Sequence, residues 1–287
     1  MKLQSRTELV GIQPHGFKPP LLFLPSLCGE TSYAHGIAIH LGRDQPVWGV
    51  QPTDSISECE SYLPLEEIAR RFADDLCALQ PDGSFRLAGY SFAGVLAYET
   101  ARQLVDRGRQ VKLVAVIDTG LCGDRPPTLA AAFGISLAIA RNLPSWVLDN
   151  ILRTEPNGFI AGLNNHLQML AKRGSRILSS GGSMPWKSEL EDIFDVNRLP
   201  PKYVKMMESN LRAFREYTPK HYSGRLTLFR AGTRPLLHSL SADLGWSEWV
   251  TGGVEIHSIP GHHASILKEP SVQVLARNLQ SAVDNSD

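Results

Sequence analysis

Short apolar runs alternate with amphipathic segments along most of the chain. Brief hydrophobic runs bounded by Gly and Pro are typical of buried strands in a parallel sheet. Six such runs predict strands, at residues 21–24, 47–50, 85–89, 111–117, 226–229 and 254–259. Hydrophobic positions three and four residues apart predict helices between them, over 65–79, 92–107 and 264–283. The alternation predicts an α/β fold with an open, mostly parallel, doubly wound sheet.

One long segment, residues 123–202, breaks this alternation. It contains helix-like pieces separated by Pro and Gly but no strand pattern. Because strand patterns resume at Leu226, we expect a helical insertion within a single domain that spans residues 1–287. Its piece 129–140 is apolar almost all round, which fits either a buried helix or a lid facing a substrate.

Only about 19 residues precede the first predicted strand, which leaves little room for dimerising helices, so we expect a monomer.

A candidate nucleophile lies where the third strand pattern gives way to a helix pattern. Ser91 occupies the centre of the segment Gly-Tyr-Ser-Phe-Ala-Gly at 89–94. A strand–Ser–helix turn of this kind is a nucleophile elbow, in which strained backbone lifts Oγ above the sheet and small neighbours relieve crowding. The N–H of Phe92 then lies at a helix start, where it can face a developing oxyanion. Ala93 stands where the usual motif has glycine.

A serine hydroxyl needs a base and an orienting acid, which follow the nucleophile in the order acid, then His, in this fold. Asp118 directly follows the strand predicted at 111–117. The alternative is Asp243, which follows the later strand at 226–229 only at some distance. Asp118 is the better placed of the two.

The loop after the last predicted strand contains two adjacent histidines, His262 and His263. On spacing alone, either could be the base.

A second oxyanion donor should come from the loop after the first predicted strand. The backbone N–H of Leu27 is the candidate there, and the neighbouring Cys28 is interpreted as a small buried residue rather than a catalytic one.

The composition argues against several other classes of protein. The chain has 29 basic and 29 acidic side chains, so nothing indicates electrostatic attraction to nucleic acid or to an anionic membrane. Its four cysteines are scattered and form no CxxC pair, which favours a reducing cytoplasm over a secreted disulfide framework. We expect no metal site, no signal peptide and no membrane-spanning segment.

Taken jointly, the motifs resemble the thioesterase domains that end nonribosomal peptide synthetases and polyketide synthases. The similarity extends over nearly the whole chain, and its motifs lie at residues 19–23, 44–51, 89–92, 97–104, 113–119, 222–231, 245–246 and 261–267. The family pattern Gly-x-His selects His263 over His262, and its acid position matches Asp118. Cys28-Gly29 departs from the Gly-Gly pair that is common in the family's oxyanion loop.

The resemblance implies acyl transfer. Ser91 would attack an acyl thioester carried on the phosphopantetheine arm of a partner carrier domain, with no cofactor of the chain's own. His263 would take the proton, Asp118 would hold His263, and the insertion would form a lid over an acyl channel. Water, or an amine or hydroxyl of the acyl chain, would release the product.

Three alternatives remain open at this level. A serine esterase or lipase acting on oxygen esters would use the same triad. A free-standing editing thioesterase would be expected to carry its acid after the later strand, at Asp243. A catalytically inactive binding module could retain the same scaffold, because fold does not imply function.

Overall fold

A parallel-type sheet organises the described part of the protein. The computed structural model describes residues 7–53, 62–121, 199–233 and 241–286. In these ranges the sheet has seven strands in the order β1-β3-β2-β4-β5-β6-β7, and of their pairings only β1–β3 is antiparallel. The strands are β1 Thr7–Gln13, β2 Leu21–Phe23, β3 Val47–Pro52, β4 Ser84–Tyr90, β5 Gln110–Ile117, β6 Leu226–Ala231 and β7 Val254–Ile259. The predicted mostly parallel α/β fold is confirmed.

Helices cover both faces of the sheet. In the described residues these are α1 Ala34–His40, α2 Leu65–Leu79, α3 Phe92–Asp106, α4 Pro201–Glu216 and α5 Ser271–Asp284. Helices α2 and α3, with part of α4, bury their apolar sides in one hydrophobic cluster, and α1 and α5 do so in a second cluster. Two clusters on opposite faces are what a doubly wound sheet requires.

The N-terminal segment corrects the prediction that the sheet begins at about residue 20. Residues Thr7–Gln13 form β1, which pairs with β3 at the edge of the sheet. Only Thr7 is fully buried in this strand, and the other six residues are at least partly exposed. An edge strand whose faces are partly exposed to solvent does not need a continuous apolar run. Its sequence therefore gives only a weak strand signal.

The last helix is shorter than the predicted 264–283. It begins at Ser271, and turns occupy the residues before it. Pro270 explains the late start, because proline has no N–H to donate within a helix and is tolerated only near its first turn. The seven-residue helix α1 was also not predicted.

The predicted lid insertion at 123–202 lies almost entirely outside the described residues, as does its apolar piece 129–140. The lid and the single-domain organisation therefore stay predictions. Among the described residues, no helix is long and apolar enough to cross a membrane.

Candidate active site

The turn at Ser91 has the geometry of a nucleophile elbow. Ser91 joins the end of β4 to the start of α3 with φ 55° and ψ −125°, a conformation that L-residues rarely adopt. Its N–H donates to the carbonyl of Ile117 in the neighbouring strand at 2.9 Å, which fixes the turn against β5. A Cβ at Gly89 would lie 2.0 Å from the carbonyl oxygen of Ala93, so this turn admits only glycine there.

The structure also accounts for Ala93. This residue is fully buried, and it belongs to the hydrophobic cluster beneath α3. The close approach occurs one position later: a Cβ at Gly94 would lie 2.8 Å from Cγ2 of Thr119 and 3.0 Å from Cγ1 of Val116. The elbow therefore needs glycine at 89 and 94, whereas a methyl group at 93 fills core space.

Asp118 follows β5 directly, and both its backbone and its carboxylate are held in place. The backbone of Asp118 has φ 51°, and its N–H donates to the carbonyl of Phe229 at 2.8 Å. Oδ1 accepts a bond from the N–H of Ala231 at 2.7 Å, and Oδ2 lies 2.9 Å from Nδ1 of His263. The side chain is only 11% exposed. Backbone of β6 thus orients the carboxylate that faces the imidazole.

His263 lies in a turn that extends the β6–β7 ladder. The N–H of Thr233 donates to the carbonyl of Gly261 at 2.9 Å, and Gly261 has φ 100°. Ser265 closes the turn by accepting the N–H of His262 at 2.8 Å. Of the two histidines that spacing left open, the structure pairs His263 with Asp118. With Nδ1 facing the carboxylate, Nε2 is the ring nitrogen directed away from Asp118.

Asp243, the alternative acid, has a local role. Its carboxylate accepts bonds from the Ser241 hydroxyl and from the backbone N–H groups of Gly245 (3.1 Å) and Ser247 (2.9 Å). Burial raises the pKa of Asp243, but these bonds outweigh it and hold the pKa below its usual range. The carboxylate therefore binds backbone N–H groups at the start of the short 3-10 helix Trp246–Glu248.

That 3-10 helix supports the acid-bearing turn from behind. Nε1 of Trp246 donates to the carbonyl of Thr119 at 2.7 Å, and both residues are buried. A Cβ at Gly120 would lie 2.4 Å from the carbonyl oxygen of Leu244, so the two segments are in close contact. The sequence offered one signal for this support, the Gly-Trp pair at 245–246.

The two candidate oxyanion donors lie on separate elements. Phe92 is the first residue of α3, where backbone N–H groups have no partner within the helix. Leu27 lies in a tight loop closed by a bond from the N–H of Ser26 to the carbonyl of Glu30 at 2.8 Å. The amide of Asn210 in α4 donates to the carbonyl of Leu27 at 2.9 Å. Sequence patterns gave no signal for Asn210, because a single polar residue on a helix is common.

Helix α4 also packs on this loop. Met207 and Leu211 form a small hydrophobic cluster with Leu27 and Cys28, and a Cβ at Gly29 would lie 2.9 Å from Cε of Met206. Burial, then the charge of Glu30, raises the pKa of the Cys28 thiol, so the thiol stays neutral at pH 7. In the described ranges, no group of three or more His, Cys, Asp or Glu residues could hold a metal ion.

Comparison with known proteins points to one family. Residues 19–121 match the family model of the thioesterase domain. The matched segment contains Ser91 and Asp118, and His263 follows it.

Similar curated proteins are large synthetases. The chain is 26% identical over 281 residues to chondramide synthase cmdD of Chondromyces crocatus, covering 96% of this chain and 7% of that protein. It is 23% identical over 280 residues to malpibaldin synthetase of Mortierella alpina, covering 96% and 4%. It is 25% identical over 285 residues to non-reducing polyketide synthase crz7 of Cladonia metacorallifera, covering 96% and 13%. The chain spans a small fraction of each.

Solved structures share the fold. The wild-type Vlm2 thioesterase domain superposes with a TM-score of 0.58 at 21% identity, covering 96% of this chain and 97% of that one. The NocB thioesterase domain, in covalent complex with a fluorophosphonate nocardicin G analog, gives a TM-score of 0.60 at 18% identity, covering 96% and 99%. Both similarities support the α/β-hydrolase fold.

Proposed function

We propose that this protein is a thioesterase that releases a peptide or polyketide acyl chain from the phosphopantetheine arm of a carrier domain, through an acyl-Ser91 intermediate. The observation that carries the proposal is the 2.9 Å contact between Oδ2 of Asp118 and Nδ1 of His263. It joins two strand ends of the same sheet that presents the Ser91 elbow, in a chain whose residues 19–121 match the thioesterase domain model.

The chemistry follows from this arrangement. Ser91 Oγ attacks the thioester carbonyl while Nε2 of His263 takes its proton, and the N–H groups of Phe92 and Leu27 stabilise the oxyanion. Collapse of the tetrahedral intermediate breaks the C–S bond, and the pantetheine thiol leaves with the proton from His263. The resulting ester is then attacked by water, or by an amine or hydroxyl of the acyl chain, with His263 again acting as the base. Asp118 stabilises the imidazolium in both halves.

The carrier domain is the proposed partner, and the phosphopantetheine belongs to it, so the chain itself needs no cofactor. Multidomain synthetases among the relatives support this partnership. We propose a monomer in the cytoplasm, the latter because of the scattered cysteines; Cys28 and Cys77 are free thiols in the described part of the chain. Light scattering of the purified protein measures the oligomeric state.

Mass spectrometry of the protein mixed with a panel of acyl-pantetheine thioesters tests the function. We expect an acyl adduct on Ser91 that is absent in Ser91→Ala. Much faster turnover of aryl and lipid oxygen esters than of every thioester would favour an esterase instead. Failure of a fluorophosphonate to label the protein, when a control serine hydrolase is labelled, would favour a non-catalytic binding module.

A further inference from the structure

Tyr90 makes two contacts with His263. It is the last residue of β4, directly before Ser91. Its hydroxyl donates to the backbone carbonyl of His263 at 2.8 Å. Its ring stacks on the imidazole, with centroids 4.7 Å apart and an interplanar angle of 22°.

The two contacts restrain different motions of the base. The hydrogen bond fixes the main chain of the turn that carries His263, and the stack fixes the plane of its ring. The hydrogen bond that Nδ1 makes to Asp118 fixes only that nitrogen, and the imidazole side chain is 46% exposed. Without the stack, the ring could tilt about that single bond and move Nε2 away from Ser91.

Tyr90 is itself held in place. Its backbone pairs with Ile117 in the β4–β5 register, and its ring lies against that of Tyr33, with centroids 5.9 Å apart. The hydroxyl of Tyr33 donates to the carbonyl of Leu24 at 2.6 Å. Burial, then the charge of Asp118, raises the pKa of Tyr90, so its hydroxyl remains protonated and can donate.

We propose that Tyr90 is a positioning residue that holds the imidazole of His263 in line with Ser91. It acts through His263 and does not touch the acyl group. Tyr90 and Ser91 are neighbours at the end of β4. The same strand end therefore positions both the nucleophile and the base. The inference rests on the proposed role of His263 as the base.

The test is the rate at which a fluorophosphonate labels Ser91 in the full chain, followed by mass spectrometry, together with kcat and KM for octanoyl-pantetheine. Tyr90→Phe keeps the ring and loses the hydrogen bond, and we expect labelling to slow about fivefold. Tyr90→Leu loses both, and we expect a loss on the order of fifty-fold in kcat with little change in KM.

Tyr98→Phe is the matched control. The hydroxyl of Tyr98 in α3 also donates to a backbone carbonyl, that of Lys220 at 2.6 Å. This variant should lose similar thermal stability to Tyr90→Phe and label at the wild-type rate.

A double-mutant cycle separates positioning from general destabilisation. In a His263→Ala background, a change at Tyr90 should have no further effect on the slow residual labelling, because the group it positions is gone. An undiminished Tyr90 effect in that background, or wild-type labelling by both Tyr90 variants, would overturn the inference and leave the proposed function intact. If Tyr90→Leu does not fold, the cycle with Tyr90→Phe decides. Absence of labelling in the wild type would instead overturn the proposed function itself.

Discussion

Replacing Asp118 by Asn tests the acid with almost no change in shape. The carboxylate accepts from the N–H of Ala231 at 2.7 Å and faces Nδ1 of His263 at 2.9 Å. An Asn side chain has one acceptor and one donor. Because Ala231 requires the acceptor, the NH₂ group would be directed at Nδ1 of His263. That nitrogen would then have to accept, which places the ring proton on Nε2, the atom that receives the proton of Ser91 in the proposed mechanism.

The expected loss has two parts. The imidazolium that forms during attack loses a carboxylate whose charge centre is roughly 4 Å away, which at an effective dielectric of about 20 is worth about 4 kcal/mol before solvent screening. Because His263 is half exposed, solvent screening reduces this electrostatic energy. The wrong tautomer of the imidazole adds to the loss of rate. Since about 1.4 kcal/mol corresponds to tenfold in rate, we expect kcat to fall on the order of 1,000-fold.

Asp243→Asn is the matched control. It makes the same chemical change in a carboxylate that accepts backbone N–H bonds at the start of the 3-10 helix behind the acid-bearing turn. We expect about 1 kcal/mol of lost stability from the lost hydrogen bonding, and activity within about threefold of wild type.

Release of free thiol from octanoyl-pantetheine, measured colorimetrically at pH 7.5, gives kcat and KM for both variants. Chemical denaturation of each establishes that it is folded. A loss of less than tenfold in Asp118→Asn, with a large loss in Asp243→Asn, would refute the assignment and favour the editing-thioesterase alternative.

Three further predictions concern the supports of the site and the acid stability of the fold. Gly94→Ala should lower the free energy of unfolding by about 2 kcal/mol, measured by urea denaturation, because the added methyl meets the acid-bearing turn. Asn210→Leu should lower kcat about tenfold with KM little changed, since the carbonyl of Leu27 loses its donor. Hydrogen bonds from Arg70, then from its neighbour Arg71, hold the pKa of Glu67 at about 2. The folded value lies below the unfolded one, so this stabilisation is present above about pH 4.3 and is lost as pH falls toward 2. Glu67→Gln should cost about 1 kcal/mol at pH 6, after allowance for solvent exposure, and only a small part of that at pH 2, where the folded-state carboxylate is half protonated.

Each of these has a control or a contrary outcome. Gly36→Ala in α1 meets nothing closer than 3.6 Å and should not destabilise, so equal losses at Gly36 and Gly94 would contradict the steric reason. Asn278→Leu removes a similar bond to a backbone carbonyl in α5 and should leave kcat unchanged. A constant stability difference between Glu67→Gln and wild type from pH 6 to pH 2 would exclude titration of Glu67 as its cause.

The local elements of this protein can be predicted from its sequence. Apolar runs bounded by Gly and Pro predict a buried strand whether or not the rest of the fold is known, because burial on both faces demands them. The elbow at Ser91 and the acid candidate Asp118 could be predicted because each lies at the end of such a strand. The edge strand Thr7–Gln13 was not, since exposure removes the demand for apolar residues.

Which side chains meet depends on the three-dimensional arrangement of the elements. Asp118 and His263 are 145 positions apart, and Tyr90 is 173 positions from the residue whose carbonyl it bonds. Asn210 reaches Leu27 across 183 positions. Such contacts depend on how the strand ends and helices are placed around the sheet, and a residue's local pattern carries no information about its distant partner. Strand order favoured Asp118 over Asp243 and the resemblance selected His263, but the contact between these two side chains exists only in the folded chain.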